Sequence, residues 1–269
     1  MTTHTHPGPS PTWWGEIDVP MHTAAHGQIG PLKLWVQRRP DLWQISTISD
    51  KDPLLADVHR LAATTDLGPD DDADVTQIAL QDQSTVIRLS PASANRALVT
   101  RPAAPFVVPA GGRARLFVGA PLWLQVRHGA QAALLDCPIH RPSDTWFGPP
   151  TNAGELCYSS KTHCRMRIEE VPIRPHRSVT AVTVLNRTDE ELRLDRLKIP
   201  VQALAIYHAA DGRLWTQDVM MQRNEVGEHA EVSVRRAEPT LALEPTLVAP
   251  ARVVGSSNAV VRAFSTLFS

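Results

Sequence analysis

The three cysteines of the sequence lie in one stretch of 28 residues together with two histidines: Cys137, His140, Cys157, His163 and Cys164. Thiolate and imidazole are ligands that zinc prefers, and four of these five groups could close a tetrahedral site. However, the spacing matches no standard zinc motif, and adjacent residues of a strand point to opposite faces. We therefore expect the cysteines to pack as small apolar side chains, and a zinc-binding protein or metalloenzyme is the alternative.

Nucleophilic catalysis has little support in the sequence. A reactive cysteine needs a nearby histidine or cation that lowers its pKa. Cys164 is flanked by His163 and Arg165, but neighbours on a strand diverge. The sequence contains neither a Gly-x-Ser-x-Gly elbow nor a Walker loop. We therefore predict no catalytic and no cofactor-binding residue, and a role in binding rather than catalysis.

Composition and charge exclude several classes of protein. Of 269 residues, 42% are hydrophobic and 20% charged, as in an ordinary globular protein. Lys plus Arg number 27 against 28 for Asp plus Glu, which argues against a nucleic-acid-binding protein. No apolar run reaches the roughly 18–20 residues of a membrane-spanning helix, and residues 1–12 do not resemble a secretory signal. We expect a cytoplasmic protein without direct membrane insertion.

The pattern of apolar residues predicts a mainly β protein. Leu32, Leu34 and Val36 alternate with polar or aromatic residues, which is typical of a half-buried strand. Similar runs recur along the chain, separated every 8–12 residues by Pro and Gly turns. This spacing favours antiparallel β-sandwich regions. Between residues 192 and 199 the apolar phase reverses, and a β-bulge near Asp195 and Arg196 would explain the reversal.

Two short α-helices are also predicted, because two segments show apolar residues at positions i, i+1, i+4, i+7 and i+8. The first segment begins after Asp52 as N-cap, has Pro53 at its first helical position and should end near Thr64. The second lies at the C-terminus. The apolar positions are Leu54, Leu55, Val58, Leu61 and Ala62 in the first, and Val260, Val261, Phe264, Leu267 and Phe268 in the second.

Turn-rich segments suggest how the chain divides. Residues 1–12 should form a disordered tail, because they offer nothing to bury. A long segment rich in Pro and Gly follows residue 138 and separates two strand-rich stretches. We predict an N-terminal β-rich region over residues 13–150 and a C-terminal β-sandwich-like region over residues 151–237. Residues 238–269 would form an extended tail and the C-terminal helix.

Several aromatic and glycine phrases occur in a recognisable order. They are Trp14-Gly15, Ile29-Gly30-Pro31-Leu32-Lys33-Leu34-Trp35, Leu42-Trp43-Gln44-Ile45, Phe147-Gly148-Pro149-Pro150, Gly154-Glu155-Leu156-Cys157-Tyr158, residues 192–200 and Leu214-Trp215. With these phrases the sequence resembles a prokaryotic group, domain-of-unknown-function family 432, over most of residues 13–235. The resemblance implies a mostly β protein without an established activity. It also implies a candidate partner, because genes of that family lie beside genes for small-conductance mechanosensitive channels.

These observations together predict a non-enzymatic cytoplasmic β-sandwich protein with a binding or scaffolding role, acting with a membrane channel. Sheet edges, exposed tryptophans and Pro-rich loops would be its working surfaces. Two alternatives stay open: the metal-binding protein that uses residues 137–164, and a sandwich that binds carbohydrate or peptide. Trp35 and Trp123 lie opposite the aliphatic faces of their strands, and we expect them to pack against a second layer.

Overall fold

A computed structural model describes residues 12–65, 68, 73–79, 84–104, 106–129, 132–149, 154–225, 229–254 and 258–265. Of these residues, 55% lie in strands and 3% in helices, which confirms a mainly β protein. The helical residues form two 3₁₀ turns, Ile168–Glu170 and Val201–Ala203. No helix in the described part of the chain has the length and hydropathy that a membrane span requires.

The strands follow one another along the whole described chain. In order they are β1 (Gly15–Asp18), β2 (Ala24–Ile29), β3 (Leu32–Arg38), β4 (Leu42–Ser49), β5 (Val58–Thr64), β6 (Asp74–Ala79), β7 (Val86–Ser93), β8 (Leu98–Thr100), β9 (Phe106–Val108), β10 (Arg113–Arg127), β11 (Leu135–Pro138), β12 (Ser143–Phe147), β13 (Glu155–Ser159), β14 (Arg177–Asn186), β15 (Leu192–Leu194), β16 (Arg196–Ile199), β17 (Ile206–His208), β18 (Leu214–Thr216), β19 (Val219–Arg223), β20 (His229–Val234), β21 (Thr246–Ala249), β22 (Asn258–Arg262) and β23 (Phe264–Ser265).

The chain forms two compact units that are interleaved in sequence. Unit 1 consists of Met1–Pro91, Leu122–His140 and Arg174–His176. Unit 2 consists of Ala92–Pro121, Arg141–Ile173 and Arg177–Ser269. The division into consecutive regions at residue 150 stays a prediction, which limited proteolysis of the linking segment can test.

Unit 1 contains an antiparallel five-stranded sheet in the order β5-β2-β3-β4-β6, and the antiparallel pairs β1–β7 and β10–β11. The alternation of Leu32, Leu34 and Val36 predicts strand β3, and these three side chains are buried. Strand β3 forms a hairpin with β4. Residues distant in sequence complete the unit. The indole N–H of Trp13 donates to the carbonyl oxygen of Pro175 over 2.9 Å.

Unit 2 is built on strand β14, whose run of Val and Thr favours extended backbone. It pairs antiparallel with the first nine residues of β10 and parallel with β18 and β19. Strand β18 pairs in turn with β17, and β17 pairs with β21. Strand β19 pairs with β20, and β20 pairs with β22. A second sheet has the order β12-β13-β8-β16-β23, and β9 pairs with β15.

Aromatic side chains are mostly buried in these sheets. Trp35 and Trp123 are buried. In unit 2, Trp215 meets Phe117 edge-on, with ring centroids 6.5 Å apart. Trp146 differs, because 44% of its surface is exposed.

The predicted helix after Asp52 is wrong. The Oδ1 atom of Asp52 accepts the N–H of Leu54, and the Oδ1 atom of Asp50 accepts the N–H of Asp52, both over 2.8 Å. These two turns use the aspartates locally instead of capping a helix. The chain then continues as strand β5, which pairs with β2. Backbone pairing with β2 outweighs a weak helical pattern.

The predicted C-terminal helix is wrong as well. Strand β22 pairs antiparallel with β20, and β23 pairs with β16. Phe264, one of the five apolar positions of the predicted helix, is buried as a strand residue. Leu267 and Phe268 lie outside the described residues.

Candidate functional site

Cys137 and His140 belong to unit 1. Cys137 lies on β11 opposite Leu124 of β10 and is half-buried. Burial, followed by the negative charges of Asp136 and Asp74, raises the pKa of the Cys137 thiol to about 12. Without a metal the thiol is therefore protonated at neutral pH.

Cys157 belongs to unit 2 and is buried on β13 among Ala97, Val99 and Phe147. Its Sγ–H donates to Oε1 of Glu155 over 3.4 Å. Burial, and then the charge of Glu155, raises the pKa of the Cys157 thiol to about 12. This environment is that of a core cysteine, as the sequence interpretation expects.

Cys164 is also buried in unit 2, and His163 beside it is exposed. The N–H of Cys164 donates to the carbonyl oxygen of Arg101 over 2.9 Å, and Cys164 forms a parallel bridge with Pro102. Burial raises the pKa of the Cys164 thiol to about 11, although the nearby Arg165 acts in the other direction. A protonated thiol of this kind is a poor nucleophile.

Of the five predicted ligands, Cys137 and His140 belong to unit 1, and Cys157, His163 and Cys164 belong to unit 2. Within the described ranges, which include all five, no group of three or more His, Cys, Asp or Glu side chains is close enough to hold a metal ion. All three cysteines are thiols rather than disulfides. The zinc alternative therefore stays a prediction without an assembled ligand set, and metal analysis of the protein can test it.

A concave surface of unit 2 offers a different kind of site, an apolar groove of about 360 Å³. Its floor is a sheet face, because Tyr207 pairs with Leu247 and the hydrogen-bonded neighbours Ala205 and Gln217 lie beside them. The volume is within the range of ligand-binding clefts. The described residues that line this groove are Ala203, Ala205, Tyr207, Gln217, Val234, Arg236, Leu247, Pro250, Ala251, Val253 and Val254.

Backbone hydrogen bonds hold the wall of the groove in place. The carbonyl oxygen of Gln202 accepts the N–H groups of Arg252 and Val253 over 3.0 and 3.1 Å. The side chain of Arg252 donates to the carbonyl oxygen of Ser93. In the floor, the N–H of Ala205 donates to Oε1 of Gln217 over 3.1 Å. These bonds fix the backbone that surrounds the groove, and a fixed binding surface lowers the entropic cost of binding.

The groove is apolar with one cationic side. Of the described residues that line it, Arg236 alone is charged, and it lies just beyond the end of β20. Burial, and after it the negative charge of Glu238, raises the pKa of the Tyr207 phenol. These properties suit an apolar ligand that carries an anionic group.

Strand β12 exposes a smaller apolar surface at the edge of the second sheet of unit 2. Trp146 lies opposite Leu156, and both are about half exposed. The indole N–H of Trp146 donates to the carbonyl oxygen of Pro149 over 2.6 Å. A Cβ on Gly154 would lie 2.3 Å from Nε1 of the indole, so any other residue there would displace the ring. This fixed ring is a single aromatic platform and not an aromatic-lined groove.

Comparison with protein families gives a match over nearly the whole chain. The model of a family described as "Protein of unknown function (DUF432)" matches residues 13–268. The chain belongs to this family. No curated protein and no solved structure matches it. DUF432 membership confirms the resemblance seen in the sequence.

In this DUF432 protein the groove is the feature that sequence reasoning missed. Its lining comes from separate segments between residue 203 and residue 254. Most of the lining residues are small or aliphatic, of the kind that fill an ordinary core. The one feature of the sequence that points to the groove is the predicted extended tail from residue 238, because an extended segment can form an edge strand such as β21.

Proposed function

We propose that this DUF432 protein is a non-enzymatic, cytoplasmic binding or scaffolding protein, with its sheets packed as sandwich-like layers. The observation that carries the proposal is the apolar groove on unit 2, which backbone hydrogen bonds hold in place. Leu247 and Val254 line it with more than half of their surface exposed. Exposed apolar side chains grouped in a concave surface are typical of binding sites.

The buried thiols support the same proposal. Cys157 and Cys164 are kept protonated, so neither has the properties of a catalytic nucleophile. The proposed binding role therefore uses the groove and assigns no catalytic role to these two cysteines.

Site-specific photo-crosslinking in cells tests the proposal. A photoreactive phenylalanine is placed at Leu247 in the groove or, as a matched control, at Leu243, which is 62% exposed and outside the groove lining. We expect a discrete adduct from position 247 that is absent from position 243 and disappears when Ala251→Trp fills the groove. Equal labelling from both positions, or no adduct from either, would contradict the proposal.

For the partner, we propose a small-conductance mechanosensitive channel. The support is the gene association that accompanies the family resemblance. Affinity purification from native membranes and cytosol is the test, with Leu247→Lys as the groove variant and Leu243→Lys as the control. We expect channel subunits to be recovered with the control and lost with the groove variant. If channel subunits are never recovered, the channel is not the partner.

A further inference from the structure

We infer that the groove binds an extended peptide, which adds as a strand beside β21, places alternate apolar side chains in the groove and presents a carboxylate to Arg236. This inference rests on the proposed function and names its ligand class. Three features carry it: the position of β21 at the end of its sheet, the position of the apolar surface beside β21 and the charge of the residues that line the groove.

Strand β21 lies at the end of its sheet. In the described part of the chain, β17 is the one strand that pairs with it. An edge strand presents a row of backbone N–H and C=O groups that can pair with another strand. The pairing of β21 with β17 is irregular between Ile206 and Tyr207, but four residues of β21 still keep an extended backbone.

The apolar surface lies where side chains of an added strand would fall. Leu247 is on the edge strand itself and 57% exposed, and it shares a sheet face with Tyr207. Side chains of a strand alternate between the two faces of a sheet. Every second side chain of an added strand therefore projects over the face that carries the groove, whereas its backbone pairs with β21. Recognition of this kind takes affinity from the backbone and specificity from alternate side chains.

The charge of the groove selects among apolar peptides. Arg236 is the one charged group among the described lining residues, and it favours a carboxylate in a ligand. The negative charge of Glu238 acts on Tyr207 and therefore disfavours a ligand carboxylate close to that side chain. We therefore expect the carboxylate to lie on the Arg236 side, and Glu238→Gln to strengthen the binding of acidic peptides.

Selection from a phage-displayed library of random peptides of about ten residues provides the first test. The baits are the full-length wild type, Leu247→Lys, Ala251→Trp, the exposed control Leu243→Lys and Arg236→Gln. We expect the wild type and Leu243→Lys to enrich alternating apolar sequences that contain an acidic residue. Leu247→Lys and Ala251→Trp should enrich none of them. Unchanged thermal unfolding of these baits establishes that the loss reflects the groove.

Backbone pairing is tested with one enriched peptide made synthetically. N-methylation removes a single backbone donor at a time. We expect it to weaken binding about tenfold at every second position and little at the positions between, because one edge of an added strand faces β21. Arg236→Gln should weaken acidic peptides by about threefold and leave their amide counterparts unchanged.

The two proposals fail in different ways. If peptides bind and Leu247→Lys abolishes binding, but N-methylation shows no alternation, the groove is a binding site and strand addition is wrong. If acidic and amide peptides bind equally, the role of Arg236 is wrong. If no bait enriches any peptide, the inference of a peptide ligand is wrong, whereas the crosslinking at position 247 still decides whether the groove is a binding site at all.

Discussion

The side chain of Asn186 allows a quantitative test of how unit 2 is held together. Asn186 is fully buried at the end of β14. Its Nδ2 group donates to the carbonyl oxygens of Val108, Pro109 and Glu190 over 3.1, 3.1 and 2.7 Å. Its Oδ1 atom accepts the hydroxyl of Thr188 over 2.8 Å. One amide group therefore ties the turn before β10 to the turn after β14.

We expect Asn186→Ala to destabilise the protein by about 3–4 kcal/mol. Each lost hydrogen bond costs about 1 kcal/mol, and buried carbonyl groups left without a donor add to this cost. Asn186→Asp keeps the shape and removes the donors, so it should be at least as destabilising. The measurement is the free energy of unfolding in urea, together with a fall of about 10 °C in the thermal midpoint.

The control for this prediction is Asn224→Ala. Asn224 is exposed, and its side chain accepts a single hydrogen bond from Gln222 over 2.7 Å. We expect a change of less than about 0.5 kcal/mol. A loss below about 1 kcal/mol for Asn186→Ala, or equal losses for the two variants, would refute the reasoning that buried amide bonds fix these turns.

Three further predictions concern buried polar groups and thiols. Thr180 and Thr216 share a buried hydroxyl contact of 2.8 Å, and Thr216 also donates to a backbone carbonyl. Thr216→Val should therefore cost more unfolding free energy than Thr180→Val, and equal costs would contradict this sharing. In the folded protein the pKa values of the Cys157 and Cys164 thiols lie above those of ordinary thiols. Their contribution to the free energy of unfolding is therefore complete below about pH 8.5, and it is lost as the pH rises from there toward 11–12. Urea titrations between pH 8 and 10.5 should show a shallower decline for Cys157→Ala/Cys164→Ala than for the wild type, and identical slopes would contradict the pKa shifts. Elemental analysis of untagged, reduced protein should find no stoichiometric zinc or iron, whereas metal lost in the same double variant would establish the metal alternative.

Local alternation predicts much of the strand content. The β3–β4 hairpin follows from the spacing of its leucines and valine, and the Asp211-Gly212 turn joins β17 to β18 as its residues indicate. At this turn Gly212 has a φ of +79°, which favours glycine. These features depend on neighbours in sequence, which is why pattern alone finds them.

Features that depend on pairing with distant strands could not be predicted. The phase change near Asp195 is not a bulge within one strand. Strand β15 pairs with β9, and β16 pairs with β8 and β23, so the chain moves between sheets at this residue. The same limitation explains the wrong helices, since β5 and β22 are fixed by partners that no local pattern contains. The groove is formed from four separate segments, and its residues carry no chemical signature.

The contribution of Arg174–His176 to unit 1 has a consequence for how the protein emerges from the ribosome. The indole of Trp13 finds its acceptor on Pro175, and the N–H of Leu122 donates to the carbonyl oxygen of His176. Unit 1 therefore cannot make its last contacts until residue 176 has been synthesised and has left the exit tunnel. At about 5–20 residues per second, synthesis from residue 91 to residue 176 takes roughly 4–17 s, so the first 91 residues wait at least this long for these partners. During this interval Trp13 has no acceptor on Pro175, whereas all strands of the five-stranded sheet lie within residues 24–79 and can already pair. We therefore expect chaperone demand during translation to fall on the residues that precede this sheet.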